Sequence, residues 1–486
     1  MNNFYGTIPP EIGNLTNLIC LDLHTNQISG TIPSQIGSLV KLQILHILGN
    51  HLNGPIPEEI GYLRYLTKLS SCWNFLNGSI PPPLGNLNNL SYLLLYDNQL
   101  SGPIPSELGN LKNLNYLELS NNQFTGSIPS SFGNLRNLQS LFLGNNNLIE
   151  EIPSSICNLT SLTLLHLFRN NLKGNILQCL GNISGLWCVT MSHNNLSGEL
   201  PSSICNLTSL QVLDLGRNNL MGAIPQCFGN MSSHLEVLDM QHSNLSSTLP
   251  TTFSIGSALG SFNLHGNKLE GKIPRVENCQ LLEVLDLGDN LLNDTFPMWL
   301  GTLPELRVLS LRLNKFHGPI RTSGSEYMFL ELQILDLSRN DFSKNLPMSL
   351  FRHMKAMRTI DQISKEPSHL GIHIIMILLQ FHPRGWSLNL TASQEVIIIL
   401  VRTVSIGYEA RPAPLVISHP RAKLAKKLSC KYPYKPSIMG DLIALRALNL
   451  SHNELQGHIP PSVRNLPSVE SLDLSSNHLE GKIPFS

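Results

Sequence analysis

The sequence predicts a repeat solenoid of the α/β type, with a parallel β-sheet on its concave face and few helices. Three observations carry that prediction. Leucines recur in phase about every 24 residues, an asparagine follows them at a fixed distance, and a Gly-x-Ile-Pro turn closes most copies. The stretch "YLELSNNQFTGSIPSSFGNL", residues 116–135, contains all three. Solenoids grow by stacking, so the 486 residues do not require several separate cores.

The repeat unit reads LxxLxLxxNxLxGxIPxxIGxL, which is the pattern of a leucine-rich repeat. Its leucines alternate with other residues, as expected of a strand with one face in the core. No copy can bury its leucines alone, so each copy depends on its neighbours. Copies begin at Leu18, Leu42, Leu66, Leu90, Leu114, Leu138, Leu162, Leu186, Leu210, Leu235, Leu259, Leu282, Leu306, Leu332, Leu445 and Val469.

Each repeat places an asparagine where the chain leaves the sheet. Its amide can satisfy backbone groups that lose their ladder partners there, so we expect these side chains to stack. The positions are Asn26, Asn50, Asn74, Asn98, Asn122, Asn146, Asn170, Asn194, Asn218, Asn267, Asn290, Asn314, Asn340, Asn453 and Asn477.

The leucine pattern stops after Met357 and resumes near residue 437. The intervening segment contains the basic, Pro-rich stretch "RPAPLVISHPRAKLAKKLSCKYPYKP", which is typical of a loop. We therefore predict one array over 1–357, an irregular insert over 358–436, and a truncated array over 437–486.

Composition and motifs argue against several functions. Lys+Arg and Asp+Glu both number 33, so bulk charge attracts neither nucleic acid nor an acidic membrane surface. There is no P-loop, no VAIK, HRD and DFG set, no GxSxG and no HExxH, so we predict neither enzyme activity nor a cofactor. The cysteines and histidines lack metal-ligand spacing, and no metal site is predicted.

The cysteines favour structural roles. Cys157 and Cys179 have the same spacing as Cys205 and Cys227 and lie in adjacent repeats. The spacing predicts two disulfides, with four buried free thiols as the alternative.

Many Asn-x-Ser/Thr sequons indicate a secreted glycoprotein, although no secretory signal opens the chain and no apolar run is long enough to span a membrane. We therefore expect a fragment of a longer protein. The predicted glycosylation sites are Asn14, Asn77, Asn89, Asn158, Asn182, Asn195, Asn206, Asn230, Asn244, Asn293 and Asn449.

Copies such as "LSGPIP", "FTGSIP" and "LEGKIP" resemble the plant-specific extracellular class of leucine-rich repeats. Residues 281–320, "LQILDLSRNDF" and "LNLSHNELQGHIPPSV" resemble plant receptor-like proteins of the defence type. The resemblance implies a leucine-rich repeat superhelix at the outer face of the plasma membrane. It also implies a peptide or microbial protein ligand, a co-receptor kinase, and membrane attachment through a segment that this chain lacks.

Two other functions remain open. Repeats up to about residue 140 fit the ectodomain of a receptor kinase equally well. A soluble inhibitor of a microbial wall-degrading enzyme would use the same concave face. Sequence beyond Ser486 distinguishes the first alternative, because a kinase would follow the membrane helix.

The ligand-binding residues are expected where the repeat is free to vary, on the concave strands. Aromatic, apolar and arginine side chains at exposed strand positions are typical of recognition surfaces, and here they cluster in consecutive repeats. Random drift is the alternative. The candidates are Trp73, Tyr92, Leu94, Tyr96, Glu118, Phe142, His166, Phe168 and Arg169.

Overall fold

The computed structural model describes residues 3–231, 233–251, 253–321, 328–347, 350, 447–461, 463, 469 and 471–481. The predicted insert lies outside these residues. The chain divides into two compact units, Met1–Thr251 with Gly266–Lys268, and Thr252–His265 with Leu269–Ser486. The leucine phase predicts one array over 1–357 and gives no sign of this division.

In the first unit, short parallel strands from successive repeats form the concave sheet. Each strand pairs in register with the strand one repeat away. The strands are Cys20–Asp22, Ile44–His46, Lys68–Ser70, Tyr92–Leu94, Tyr116–Glu118, Ser140–Phe142, Leu164–His166, Cys188–Thr190, Val212–Asp214 and Val237–Asp239.

A second set of strands follows the asparagines and forms the side of this unit. These strands are Tyr5–Thr7, Gln27–Thr31, His51–Gly54, Phe75–Gly78, Gln99–Pro103, Gln123–Thr125, Lys173–Asn175, Asn195–Glu199, Asn219–Ala223 and Asn244–Thr248. Single turns of 3-10 helix then return the chain at Pro10–Asn14, Ser34–Ser38, Glu58–Tyr62, Pro82–Asn86, Ser106–Asn110, Ser130–Asn134, Ser154–Asn158, Gln178–Asn182 and Ser202–Asn206, and one α-helical turn at Phe228–Met231.

The second unit repeats this plan. Its concave strands are Ser261–Asn263, Val284–Asp286, Val308–Ser310, Ile334–Asp336, Ala447–Asn449 and Ser471–Asp473. Its side strands are Lys268–Gly271, of which Lys268 belongs to the first unit, then Leu291–Leu292, His317–Pro319, Asp341–Asn345, Glu454–His458 and His478–Glu480. A 3-10 turn spans Met298–Thr302.

The repeated leucines form the core of each unit. Leu93, Leu117 and Leu141 lie side by side in neighbouring strands and are fully buried. Burying one such side chain contributes about 1.5–3 kcal/mol, so the stack of repeats holds the sheet together. The glycine of the IGxL turn allows close stacking, since a Cβ on Gly133 would lie 2.6 Å from the carbonyl oxygen of Ser155 in the next repeat.

The asparagine ladder is present in the structure. The amide of Asn74 donates to the carbonyl oxygens of Ser71, Cys72 and Ile47 at 3.0–3.2 Å, and its oxygen accepts from the backbone N–H of Leu52. Because the bonds reach the preceding repeat, each asparagine joins two coils. Equivalent contacts to the preceding repeat recur along the first unit and within the second.

The ladder lacks an asparagine at Ser243, between Asn218 and Asn267. The Ser243 hydroxyl is buried and makes no hydrogen bond among the described residues. We expect Ser243→Asn to restore the missing contacts and raise the free energy of unfolding by about 1–2 kcal/mol. Thermal and urea unfolding of the full chain measure this. Thr248→Asn, at an exposed position of the same repeat, is the control, and equal shifts for both variants would contradict the prediction.

Candidate recognition surface

Two rows of side chains run along the concave sheet of the first unit. The strand row contains the third residue of each strand and includes Leu94, Glu118, Phe142 and His166, which are neighbours in register. The edge row contains the residue just before each ladder position, and its non-glycine members have φ between 47° and 55°. Between residues 73 and 242, the members of the edge row are Trp73, Asp97, Asn121, Asn145, Arg169, His193, Arg217 and His242.

Trp73 and Tyr96 form the first aromatic group. Their rings meet edge to face with centroids 5.2 Å apart. The indole N–H of Trp73 donates to Asp97 at 2.9 Å, and the Asn121 amide donates to the same carboxylate at 2.8 Å. Asn145 in turn donates to Asn121 at 3.0 Å. This chain of hydrogen bonds orders the edge row and fixes the indole before any ligand arrives.

Tyr92 and Tyr116 form a second group. Their rings stack with centroids 5.0 Å apart, and the Lys68 ammonium lies 5.1 Å from the centroid of Tyr92. Cation–π contact and ring stacking favour this arrangement.

Phe142, His166 and Phe168 form a third group. The Phe142 and His166 rings have centroids 4.7 Å apart, and those of His166 and Phe168 are 6.4 Å apart. Gly144 makes room for Phe168, since a Cβ there would lie 2.5 Å from the phenyl ring. Burial lowers the pKa of His166 to about 4, so this imidazole is neutral in both neutral and mildly acidic solution.

Glu118 lies between the second and third groups. Burial raises the pKa of its carboxyl to about 8, against hydrogen bonds from Ser120 that lower it. Burial also raises the pKa of Asp97. Glu118 is therefore largely protonated at neutral pH, and its position adds little negative charge to the aromatic surface.

The structure brings most of the predicted residues together. Trp73, Tyr92, Leu94, Tyr96, Glu118, Phe142, His166 and Phe168 form one stretch of the concave face, which we call the aromatic patch. They are half-buried where the sequence analysis expected exposed side chains, because neighbouring rings about one strand spacing apart cover each other. Arg169 is exposed and lies beside the patch in the edge row.

Sequence reasoning missed the continuation of the edge row. Asn121, Asn145 and Arg217 were not candidates, although the position of each follows from its place just before a ladder asparagine. Lys68, on the concave strand Lys68–Ser70, was also missed. The sequence pattern that could have revealed the later part of the edge row is the change of residue type along it. Its early members are tryptophan, aspartate and asparagine, and its later members are arginine and histidine.

Cys157 and Cys179 form a disulfide with Cα atoms 5.7 Å apart, and Cys205 and Cys227 form another with Cα atoms 6.0 Å apart. Each links successive 3-10 or helical turns. Cys72 and Cys279 are buried free thiols, and Cys20 is an exposed one.

Ten of the eleven predicted glycosylation sites are exposed asparagines. Asn449 is the exception, and its prediction is wrong for the folded chain. It is 4% exposed in the strand Ala447–Asn449, and its side-chain oxygen accepts a hydrogen bond from the backbone N–H of Ser451. A glycan on this amide has no room in the folded unit.

Comparison with known proteins identifies the repeat. A model described as a leucine-rich repeat region matches residues 70–252, and related leucine-rich repeat models match 17–39, 41–63, 331–353 and 435–479. The chain is a leucine-rich repeat protein. The matched ranges contain most of the repeats that the leucine phase predicted, and they leave out those that begin at Leu259, Leu282 and Leu306.

The relatives of this leucine-rich repeat protein are plant receptors. It is 45% identical over 92 residues to receptor-like protein 43 of Arabidopsis thaliana, a match that covers 18% of this chain and 12% of the relative. The match to receptor-like protein 35 of the same plant is 48% identical over 79 residues and covers 16% and 8%. These matches thus span a small part of the relatives' length.

Two solved plant ectodomains share the fold. The ectodomain of the Arabidopsis thaliana receptor kinase GASSHO1/SCHENGEN3, solved with CASPARIAN STRIP INTEGRITY FACTOR 2, is 29% identical with a TM-score of 0.73, and the match covers 100% of this chain and 50% of that one. The Arabidopsis receptor kinase HAESA, solved with the peptide hormone IDA and the co-receptor SERK1, is 27% identical with a TM-score of 0.68, covering 99% and 74%. The leucine-rich repeat protein is thus similar in fold to these two plant receptor kinases.

The second unit has a different concave surface. In its strand row Asn263, Asp286, Ser310, Asp336 and Asn449 are all buried. Among the described residues, no helix has the length and apolar character needed to cross a membrane.

Proposed function

We propose that the chain is the ligand-recognition array of a plant cell-surface receptor and takes a peptide ligand on the concave face of its first unit. The aromatic patch carries the proposal. Together with the adjacent Tyr116 it presents seven aromatic or imidazole rings over five consecutive repeats, and side chains of this kind supply most of the binding energy in protein interfaces.

The ordering of the patch supports recognition. Hydrogen bonds hold Trp73 through Asp97 and Asn121, and Gly144 leaves space for Phe168. Pre-ordered rings lose little conformational freedom on binding, so more of the contact energy appears as affinity. In the described strand row of the second unit, Asn263, Asp286, Ser310, Asp336 and Asn449 are buried, and neither they nor the half-buried Asp473 carries an aromatic ring.

The kind of partner follows from the relatives. HAESA is solved with a peptide hormone and a co-receptor, and RGFR1 with RGF2. On this proposal the array acts at the outer face of the plasma membrane and signals in plant defence or peptide signalling through a partner kinase, which supplies the catalytic activity. A kinase within the parent protein is the alternative, favoured by the similarity to receptor kinase ectodomains.

Peptide selection tests this function. A display library of random linear peptides is panned against the purified full chain, and soluble versions of the enriched peptides are measured by calorimetry. The expected result is a family of peptides that share aromatic or apolar anchors and bind with micromolar or tighter affinity. Enrichment of no peptide above a bare-support control contradicts a peptide-binding array.

A further inference from the structure

The edge row changes character after Asn145. Its next four members are Arg169, His193, Arg217 and His242, one from each of four successive repeats, and we call them the cationic strip. All four have the left-handed backbone, with φ from 47° to 55°. Backbone hydrogen bonds from Arg169 to Ser192, from His193 to Gly216 and from Arg217 to Gln241 keep them in register. The four side chains therefore leave the sheet edge in one direction.

The two arginines of the strip form no ion pair among the described residues, and the nearby acids accept hydrogen bonds from other donors. Burial lowers the pKa of Arg217, and the charge of Asp239 acts in the opposite direction. Asp214 accepts hydrogen bonds from the Ser192 hydroxyl at 2.6 Å and the Gly216 N–H at 3.2 Å. Asp239 accepts two from Gln241, each at 3.1 Å. Among the described residues no carboxylate lies within ion-pair distance of Arg169 or Arg217, and the buried Nε of Arg217 has no hydrogen-bond acceptor.

The charges within the strip act on each other. Burial lowers the pKa of His193 to about 4, and the charges of Arg169, Arg217 and His242 lower it in the same direction. Asp214 and Asp239 face the strip from the neighbouring strand row, and burial raises the pKa of Asp214 to about 6. A negative group placed among these cations would reverse the repulsion.

Resting on the proposed function, we propose that the cationic strip is a subsite for an acidic segment of the peptide ligand. Four residues in successive repeats span about 14 Å at the strand spacing of roughly 4.8 Å. Side chains on one face of an extended peptide recur about every 6.7 Å, so three of them span about 13 Å. The strip therefore matches acidic residues at alternate positions, i, i+2 and i+4.

The position of the strip also orients the ligand. It continues the edge row directly from the aromatic patch, through Asn145 to Arg169. One extended peptide can therefore contact both surfaces, with its apolar anchors on the patch and its acidic segment on later repeats.

Binding of acidic groups should take up protons. A bound carboxylate stabilises the imidazolium of His193, so its pKa rises from the low value of the free chain. Affinity then increases as pH falls from 7 towards 5, while aspartate side chains stay ionised. Arg169 and Arg217 stay charged from pH 7 to pH 5, so they contribute nothing to the change of affinity with pH.

Three short labelled peptides test the subsite by fluorescence anisotropy at low salt on the full chain. They are Asp-Ser-Asp-Ser-Asp, its neutral counterpart Asn-Ser-Asn-Ser-Asn, and Asp-Asp-Asp-Ser-Ser with the same charge but another spacing. We expect Asp-Ser-Asp-Ser-Asp to bind at least tenfold tighter than the neutral Asn-Ser-Asn-Ser-Asn. We expect it to bind severalfold tighter than Asp-Asp-Asp-Ser-Ser, in which the aspartates are consecutive. Equal affinity for all three overturns the proposal.

Variants locate the contact. Arg169→Gln with Arg217→Gln should weaken binding of the alternating acidic peptide at least tenfold. Lys112→Gln with Arg136→Gln, two exposed cations in the turns that follow the 3-10 segments, should change this affinity less than twofold. His193→Gln should keep the affinity at pH 7 and reduce the increase at pH 5. The part of the increase that remains comes from Asp214, whose carboxyl has a pKa of about 6 and loses its charge over the same range. Thermal unfolding checks that each variant is folded. An equal loss in both double variants, or a flat pH profile in the parent chain, overturns the proposal.

The two proposals fail separately. If the acidic probes do not bind but library-selected peptides depend on the aromatic patch, the subsite is wrong and the proposed function stands. If the selected peptides are indifferent to the patch while the acidic probes require Arg169 and Arg217, the strip stands and the proposed function fails.

Discussion

Asn146→Ala is expected to destabilise the chain by about 3 kcal/mol or more, since it leaves several buried backbone groups without partners. The Asn146 amide donates to Leu119, Leu143 and Gly144 at 3.1–3.3 Å, and its oxygen accepts from the Phe124 N–H at 3.1 Å. The side chain joins two coils from a nearly closed position, 8% exposed. Urea unfolding followed by circular dichroism measures the loss.

The neighbouring Asn145 provides the control. It is exposed and makes one side-chain donation, to Asn121. Asn145→Ala should therefore cost less than about 1 kcal/mol. If the two alanine variants unfold at the same urea concentration, the ladder does not hold the coils together and the account of the fold is wrong.

Replacing Trp73, Tyr96, Phe142 and Phe168 together by alanine should weaken a library-selected peptide at least 100-fold. Single interface anchors of this type are worth about 2 kcal/mol or more, and four of them carry most of the binding energy. The strand leucines beneath remain in place, and the patch rings are only half-buried, so the fold should survive. Calorimetry gives the affinity and circular dichroism checks the sheet.

Four exposed aromatics away from the concave strands give a matched control, and they are Tyr5, Tyr62, Tyr65 and Phe75. Their joint replacement by alanine should change the affinity less than twofold. Undiminished binding in the patch variant would refute the assignment of the patch.

The fold could be predicted from the sequence because each recurring position of the repeat unit has a single structural role. Leucine spacing identified the concave strands, and the asparagine position identified the ladder, whereas its individual hydrogen-bond partners came only from the structure. The gap at Ser243 was readable in the same way. The division into two units was not readable, since no single residue of the repeat pattern marks it.

The site was predicted less completely. The aromatic residues of the concave strands located the patch. The exposed fraction of their side chains could not be predicted from the alternation of inward and outward residues, because side chains in adjacent repeats cover each other. Asn449 shows the same limit. Its sequon is a local pattern, whereas its burial comes from strands on either side, Ile334–Asp336 and Ser471–Asp473. The cationic strip was overlooked because its members are 24 or 25 residues apart and meet only in the stacked coil.

Hydrogen exchange of the full chain with and without a selected peptide tests the central claim most directly. We expect slowed exchange in segments 92–97, 116–121, 140–145 and 164–169, which contain the concave strands and the edge row. Segments of the helical turns, such as 106–110 and 130–134, should exchange at unchanged rates. Protection confined to those turns, with the concave segments unaffected, would contradict recognition on the concave face.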